Sequence, residues 1–206
     1  TSIIGRAKLI GEGGDPGMSE HIVETTNDLV STAERAREIQ AMMTTSTDRE
    51  TTPVAEVIDR IVGDIEADYP HVEITTALPT GATGAVTPTV FETTMKNVVE
   101  NAAQHNDADE PIVVISGDYE DGTLSLAVAD NGPGIPEHER VELERGEESD
   151  LEHGSGLGLW AVYWGVTRMG GDLSFAENDP RGSIVTVSVP GESPPASTER
   201  GQSAPA

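Results

Sequence analysis

The chain has 206 residues and contains no cysteine and only two lysines, Lys8 and Lys96. Without cysteine it forms neither disulfides nor thiolate metal sites, and its five histidines lack the spacing of a zinc site. No apolar run approaches the roughly 18 residues of a membrane span, and the first residues do not resemble a signal peptide. We therefore expect a cytoplasmic fragment of a longer protein, with any membrane anchor upstream and no membrane contact of its own.

Basic residues are scarce: 12 Lys and Arg stand against 37 Asp and Glu, a formal net charge of −25. Such a surface repels phosphate backbones, which argues against nucleic-acid binding. Few lysines, many acids and small core residues resemble proteins from salt-loving organisms. There, molar salt shortens the Debye length to roughly 3 Å, so that like charges barely repel. An ordinary acidic protein is the alternative.

Residues 1–46 show helical periodicity interrupted by a glycine-rich stretch at 11–17. A short first helix and a second one from Ser19 to about Met43 predict a helical hairpin, truncated at its N-terminus. The second helix has a narrow stripe of Ile22, Leu29, Ala33, Ala36 and Met43. Because this hairpin has too little core to stand alone, we expect a homodimer with a four-helix bundle. A polar linker follows at 44–51.

From residue 52 to about 190 the pattern changes to mixed helices and strands. Helices are predicted from Thr52-Pro53, from Thr87-Pro88 to about His105, and from Ser155 to Gly170-Gly171. Strands are predicted at 72–78, 112–119, 123–129, 173–176 and 183–189, with a tight hairpin at Asp121-Gly122. This order predicts an α+β fold, a two-layer α/β sandwich with helices on one face of a mixed sheet. The tail, 191–206, is predicted to be disordered.

The helix at 88–105 carries polar residues one turn apart: Asn97, Asn101 and His105, with Gln104 beside them. Asparagine has a low helix propensity, so its recurrence calls for a reason. An amide oxygen can ligate Mg²⁺ without cancelling the charge of the metal, which then bridges phosphates. The alternative is a solvated polar face.

The segment 130–136, DNGPGIP, ends a strand in an acid. By strand alternation Asp130 points the same way as the apolar residues Leu124, Leu126 and Val128. A half-buried carboxylate needs a donor, and the exocyclic amine of adenine would serve, whereas guanine presents an acceptor there. The alternative is a plain turn, since D-N-G and P-G are ordinary turn formers.

A third motif, GSGLGL at 154–159, directly precedes a helix. Glycines at a helix N-terminus expose backbone N–H groups to an anion, with help from the helix dipole. By itself the motif also fits a flexible loop. It is neither a P-loop nor a dinucleotide fingerprint, because neither the lysine nor the preceding parallel strand is present.

Together, in this order, the three motifs resemble the Bergerat-type ATP-binding fold of sensor histidine kinases, gyrase, Hsp90 and MutL. The similarity is strongest to the catalytic domain of histidine kinases, and the acidic composition is similar to haloarchaeal examples. Residues 101–106 (NAAQHN) resemble the N box of the kinases, 130–136 the first glycine box and 154–159 the second. Gly182-Ser183 resembles a weaker third box.

The resemblance implies ATP and Mg²⁺ as cofactors and assigns roles by position. Asn101 would ligate the metal, and Asn97 stands where gyrase-like ATPases carry a water-activating glutamate. Asp130 would hold adenine. The remaining implied contacts with the nucleotide are Gln104, His105, Gly132, Gly134, Ile135, Gly154, Ser155, Gly156, Leu157, Gly158 and Gly182.

Two departures from the family pattern concern the phosphate end. Gln104 stands where many kinases have a lysine or arginine, and the stretch between the glycine boxes lacks the usual phenylalanine. Val141 and Leu143 are candidates to replace its packing. Arg140 and Arg145 are the cations of this stretch, and Arg145 is either a phosphate clamp or a solvated arginine.

In the family, a dimerisation hairpin bearing the phosphoacceptor histidine precedes the ATP domain. His21 lies on the second helix without the acid that usually follows the acceptor, so the acceptor is expected upstream. The resemblance further implies a response-regulator receiver domain as partner. Two alternatives stay open: a gyrase- or MutL-like ATP-hydrolysing clamp, and a non-catalytic nucleotide-sensing dimerisation module.

Overall fold

The computed structural model describes residues 48–137, 140–141 and 156–192, together with the upstream positions 26, 33, 36, 37, 39, 40, 41 and 44. Along the continuous ranges, helices alternate with strands in an α/β arrangement. The strands are β1 (Glu50–Pro53), β2 (Glu73–Ala77), β3 (Thr83–Val86), β4 (Ile112–Glu120), β5 (Thr123–Asp130), β6 (Asp172–Glu177) and β7 (Ser183–Glu192). The helices are α1 (Val54–Asp68), α2 (Pro88–Gln104) and α3 (Gly156–Met169).

The described strands form one mixed sheet in the order β1-β3-β7-β5-β4-β2. Strand β7 is central: it pairs with β5 along one edge, and along the other with β6 first and with β3 at its end. All these pairings are antiparallel, and β2 joins β4 in parallel. The sheet therefore brings the ends of β5 and the beginning of β7 together, at the edge where Asp130 lies.

One face of the sheet is buried beneath the helices. Alternate residues of β5, from Leu124 to Val128, are buried, while their neighbours Ser125 and Ala127 are half-exposed. Helix α1 buries the apolar stripe Val54, Val57, Ile58, Ile61 and Ile65. Because strand alternation and helical periodicity each give one apolar face, the two layers bury one shared core. The two-layer α/β sandwich predicted from sequence is confirmed.

Helices α2 and α3 approach closely and run antiparallel. A Cβ at Gly165 of α3 would collide with the Thr94 hydroxyl of α2, and a Cβ at Gly158 would lie 3.0 Å from Asn101 Oδ1. Thr94 and Asn101 are two turns apart on α2, as Gly165 and Gly158 are on α3. The absent side chains let α3 lie directly against the α2 face that carries Asn101.

Strands β1 and β3 were not predicted. The structure also moves three predicted boundaries: the end of the polar linker, the start of α1 and the start of the disordered tail. Glu50 and Thr51, assigned to the polar linker, belong to β1, as do Thr52 and Pro53, so that α1 begins at Val54. Strand β7 extends to Glu192, which places the first two residues of the predicted disordered tail in the sheet. The short strand β3 pairs with both β1 and β7.

The predicted hairpin falls mostly outside the described residues, and so do 193–206. Each upstream position that the structure describes is helical; Ala33 and Ala36 of the predicted stripe are exposed, and Ile39 packs against the core. The segment before β1 is attached to α2 and α3: Thr87, the N-cap of α2, donates to the carbonyl of Asp48, and Arg49 donates to the carbonyl of Met169 over 2.8 Å. No helix in the described part of the chain combines the length and apolar character needed to cross a bilayer.

Candidate functional site

A cavity of about 440 Å³ opens between α2 and the edge of the sheet where β5 ends. Its wall is largely apolar, with a few polar groups that converge from different elements, as in small-molecule sites. The lining residues are Val98, Asn101, Ala102, His105, Asp130, Pro133, Gly134, Ile135, Pro136, Leu159, Ser183 and Val185.

Asp130 is the acidic group of this cavity. It follows Leu124, Leu126 and Val128 on the core side of β5 and is 8 % exposed. Its Oδ1 accepts a hydrogen bond from the Gly132 N–H at 2.8 Å, and its Oδ2 accepts one from the Ser183 hydroxyl. Each carboxylate oxygen has two acceptor sites, so capacity for a ligand donor remains. The orientation predicted by alternation is therefore found, with two protein donors already in place.

The glycines of the 130–136 segment shape the turn beyond Asp130. Gly134 lines the cavity with φ +84°, a conformation in which a side chain is strained. Gly132 does not line the cavity. It is buried, and a Cβ there would lie 3.0 Å from Asp130 Oδ1 and 3.2 Å from the Asn106 Cα. Its contribution to the site is the N–H that donates to the Asp130 carboxylate.

Asn131 was not predicted as a functional residue, and its amide organises the backbone around the site. Its Oδ1 accepts hydrogen bonds from Asn106 Nδ2 and the Ile112 N–H, both at 2.9 Å, and its Nδ2 donates to the Glu110 carbonyl. These bonds join the 130–136 turn to the loop that follows α2. The D-N-G sequence predicted a turn. It could not predict the partners of the Asn131 amide, because they are distant in sequence.

The polar row predicted on α2 is split in the structure. Asn101 and His105 line the cavity, and His105 caps the helix. Asn97 is buried at 4 % exposure, and its Nδ2 donates to the Thr93 carbonyl at 2.9 Å. Gln104 is exposed and lies outside the lining. Of this row, Asn97 is thus buried, Gln104 is exposed, and Asn101 and His105 face the cavity.

The second glycine motif lies partly outside the described residues, which exclude Gly154 and Ser155. Gly156 and Leu157 begin α3, and Gly158 lies against the Asn101 amide without lining the cavity. Leu159 does line it and packs with Trp160 and Ile135. The N-terminus of α3, whose first N–H groups have no partner within the helix, therefore begins next to Asn101.

Gly182 lies behind Asp130, outside the cavity lining. Its φ is +116°, and a Cβ would collide with the Asp130 carbonyl oxygen. Glycine is thus required for the close approach of the turn between β6 and β7. The sequence analysis placed both Gly182 and Ser183 in a third box and assigned a nucleotide contact to Gly182 alone, whereas the Ser183 hydroxyl reaches the Asp130 carboxylate.

Of the two arginines noted between the glycine motifs, Arg140 is described. It lies 3.5 Å from Glu177, and its backbone N–H donates to the Pro136 carbonyl. Val141 is half-exposed, whereas Leu143 and Arg145 lie outside the described residues.

A metal at this site would depend on few protein ligands. In the described ranges, no group of three or more His, Asp or Glu side chains is arranged to hold a metal ion. Asn101 offers one neutral amide oxygen at the cavity wall. That donor set fits Mg²⁺ bound chiefly by water and phosphate oxygens, because Mg²⁺ at such sites takes few protein ligands.

The model of the family described as histidine kinase-, DNA gyrase B- and HSP90-like ATPase matches residues 87–193. This match runs from the start of α2 past the end of β7 and contains the whole cavity. The chain belongs to this family. It is a histidine-kinase-type ATP-binding catalytic domain.

Similar proteins are sensor kinases. The sensor-type histidine kinase PrrB of Mycobacterium tuberculosis is 28 % identical over 82 % of this chain, and the match covers 40 % of that protein. AfsQ2 of Streptomyces coelicolor, a signal transduction histidine-protein kinase, is 29 % identical over 93 % of this chain and 37 % of its own length. The chain thus spans about two fifths of these curated relatives.

The solved structure of the mycobacterial sensor histidine kinase MprB has a TM-score of 0.61 and 29 % identity. It covers 70 % of this chain and 98 % of its own. The ATP-binding domain of PrrB from M. tuberculosis, at 23 % identity and a TM-score of 0.59, covers 71 % of this chain and 99 % of its own, and supports the fold. These similarities confirm the prediction of a histidine kinase ATPase fold.

Proposed function

We propose that this chain binds Mg²⁺ and ATP in the cavity and transfers the γ-phosphoryl group to a histidine N-terminal to these 206 residues. From that histidine the group passes to an aspartate of a receiver domain, and the active species is a homodimer formed through the upstream helices. The observation that carries the proposal is the convergence of Asp130, Asn101 and the start of α3 on one cavity. The relatives named above support the same chemistry.

The Asp130 end of the cavity is assigned to adenine. A buried carboxylate accepts from the exocyclic amine, and Ile135 and Leu159 provide apolar contact for a flat ring. Gly134 lets the backbone approach the ring. Outside the lining, Gly132 donates its N–H to the carboxylate and Gly182 lies against the Asp130 carbonyl. Guanine would place a carbonyl oxygen against Asp130, so we expect selection for adenine.

The Asn101 end is assigned to the phosphates. Asn101 ligates Mg²⁺, which when bound neutralises the charge that the phosphates develop during transfer. Gly156, Leu157 and Gly158 offer the backbone N–H groups at the start of α3. Gln104 and His105, at the end of α2, flank this region, and neither carries a fixed positive charge.

Transfer rather than hydrolysis follows from the chemistry of Asn97. At the position of the water-activating glutamate of gyrase-like enzymes, this chain has an amide, which cannot accept a proton at neutral pH. Its burial and its bond to the Thr93 carbonyl further withdraw it from water. Asn97 therefore serves the reaction by supporting the α2 turn that precedes Asn101, and this argues against the ATP-hydrolysing clamp.

The decisive experiment supplies the acceptor in trans. This chain is mixed with Mg²⁺, γ-labelled ATP and a version extended upstream through the expected histidine but disabled by Asp130→Ala. We expect acid-labile, base-stable label on the extended partner, as for phosphohistidine. The reaction is run in high salt, because the composition predicts a salt-adapted protein, and exchange of subunits is checked by sizing the mixture.

The control is this chain carrying Asn101→Ala, which should leave the partner unlabelled. Metal-dependent ATP binding without label on a partner that does exchange would favour the nucleotide-sensing module instead. Free phosphate released at the same rate with and without the partner would favour the hydrolysing clamp.

A further inference from the structure

The turn between β6 and β7, residues 178–182, packs against Asp130. Asn178 Nδ2 donates to the Asp130 carbonyl at 2.7 Å, and the Asn178 N–H donates to the Gly182 carbonyl at 3.0 Å. Gly182 touches the same Asp130 carbonyl, and Ser183 reaches the carboxylate. Both the backbone and the side chain of one buried acid are thus held by this turn.

The bond from Asn178 occurs where the pairing of β5 with β7 has ended, although β4 pairs with β5 as far as Val113 and Asp130. The pairing of β5 with β7 ends at Ala129 and Ile184, one residue before Asp130. A strand-end carbonyl must take its donor from elsewhere, and here the Asn178 side chain supplies it. The position of the Asp130 backbone therefore depends on a side chain that does not line the cavity.

A second contact ties the turn to the opposite side of the site. Arg181 donates to both carboxylate oxygens of Asp107, at 2.7 and 2.9 Å. Asp107 follows Asn106, which is bonded to the Asn131 amide. The pair is exposed, so its contribution to stability is small. The Asp107 carboxylate is nevertheless bidentate toward one guanidinium nitrogen, Nη2, and the pair joins the two loops that flank Asp130.

We propose that Asn178 and Arg181 are positioning residues that set the selectivity of the site for adenine over guanine. They hold the Asp130 carboxylate where it accepts from an exocyclic amine and repels a carbonyl oxygen. This inference rests on the proposed function, since it takes ATP as the ligand. Neither residue touches the ligand, and each acts through Asp130.

The test compares affinities for Mg²⁺-ATP and Mg²⁺-GTP, measured by calorimetry on the full 206-residue chain. Asn178→Ala should lower the ATP-to-GTP affinity ratio by about tenfold, the effect of one hydrogen bond to a buried group. Arg181→Gln should lower the ratio by about threefold, as expected for an exposed pair. In the trans-labelling reaction, both variants should raise KM for ATP and leave kcat unchanged.

The matched control is Arg60→Gln, which breaks another exposed bidentate pair, with Glu92, between α1 and α2. It should not change the affinity ratio. Thermal unfolding without nucleotide checks that each variant folds. If Asn178→Ala does not fold, Asn178→Asp keeps the shape and replaces the donor by an acceptor, with the same expected loss of selectivity.

Equal losses of ATP and GTP affinity would overturn the inference, because a general loosening of the fold acts on both. An Asp130→Ala variant distinguishes failure of the positioning roles from failure of the proposed ATP-binding function. If Asp130→Ala abolishes the preference for ATP and the Asn178 and Arg181 variants keep it, the positioning roles are wrong and the adenine site stands. If the unmodified chain has no preference for ATP and Asp130→Ala binds equally, both proposals are wrong.

Discussion

At one end of the cavity, Asp130 is held by neighbours on every side, whereas at the other end Asn101 faces the cavity beside a glycine. The carboxylate of Asp130 has two protein donors and its carbonyl has a third. Asn101 lies against Gly158, whose missing side chain leaves room at the start of α3. The first end is organised before any ligand arrives, and the second is shaped to admit one.

The two ends also differ in charge. The described residues that line the cavity include one acid, Asp130, and neither lysine nor arginine. Under the proposed function, in a chain of net charge −25, bound Mg²⁺ would supply positive charge to the phosphates at this wall. The comparison predicts that base recognition depends on Asp130 and its neighbours, and that phosphate recognition depends strongly on the metal.

The largest expected effect is at the metal end. Asn101→Ala should abolish the Mg²⁺-dependent part of ATP affinity, because it removes the amide oxygen at the cavity wall. Asn101→Asp keeps an oxygen ligand and should retain metal dependence. Calorimetric titration with ATP, with Mg²⁺ and with a chelator, measures both.

Glu100→Gln, one residue away on α2 and outside the cavity lining, is the control for Asn101 and should behave as the unmodified chain. If Asn101→Ala binds ATP with undiminished Mg²⁺ dependence, the metal assignment is wrong and the two ends do not differ as proposed.

At the base end, Asp130→Asn should weaken ATP binding by about 1–3 kcal/mol, the cost of mispairing a buried polar site. The amide presents a donor where two protein donors and the adenine amine already point. The loss should be the same with and without Mg²⁺, in contrast to Asn101→Ala. Unchanged affinity would remove Asp130 from the base site.

The helix pair beneath the metal end should be sensitive to a single methyl group. Gly165→Ala places a Cβ against the Thr94 hydroxyl, which itself donates to the Val90 carbonyl at 2.7 Å. Relieving this contact separates α2 from α3, and we expect a loss of about 1–3 kcal/mol in the free energy of unfolding. Urea denaturation measures it. Folded Gly165→Ala should keep its preference for ATP over GTP, because the base end does not rest on this contact.

The smallest effect is expected at Gly63 on α1, which serves as the matched glycine. A Cβ there meets nothing within 4 Å, and Gly63 lies in the helix interior. Gly63→Ala should therefore raise the free energy of unfolding by about 0.5–1 kcal/mol, the difference in helix propensity. The Mg²⁺ dependence of ATP binding and the ratio of ATP to GTP affinity should both stay unchanged. Destabilisation equal to that of Gly165→Ala would show that close packing of α2 and α3 is not the cause.

Helices and long strands were predictable because their signals are local. The apolar stripe of α1 and the alternation through Leu124, Leu126 and Val128 each repeat over several residues. Strands β1 and β3 were missed because each is four residues long, and their sequences, ETTP and TGAV, contain proline or glycine. Their extended form comes from pairing with each other and with β7, which no local pattern reveals.

The difference between local and long-range signals also decided how much of the site could be predicted. The order of the motifs located Asp130, Asn101 and His105 at one cavity, and spacing along α2 suggested a continuous polar face. Spacing could not show that Asn97 is buried and bonded to the Thr93 carbonyl. Nor could it find the roles of Asn131, Asn178 and Ser183, which depend on partners from 19 to 53 residues away. The role of such a polar side chain depends on a hydrogen-bond partner that only the folded chain brings within reach.

The attachment of the segment before β1 has a mechanical consequence. Asp48 is bonded at the start of α2, and Arg49 at the end of α3. Since the two helices are antiparallel, these are the same end of the pair, and Asn101 and Gly158 lie at the other. From Thr87 to Asn101 the helix rises about 21 Å, at 1.5 Å per residue. The chain that precedes the domain is therefore bonded at one end of the helix pair, and Asn101 and Gly158 lie at the other. We expect a displacement of that chain to be transmitted along α2 and α3 to Asn101 and Gly158 together, and less to Asp130, which lies on the sheet.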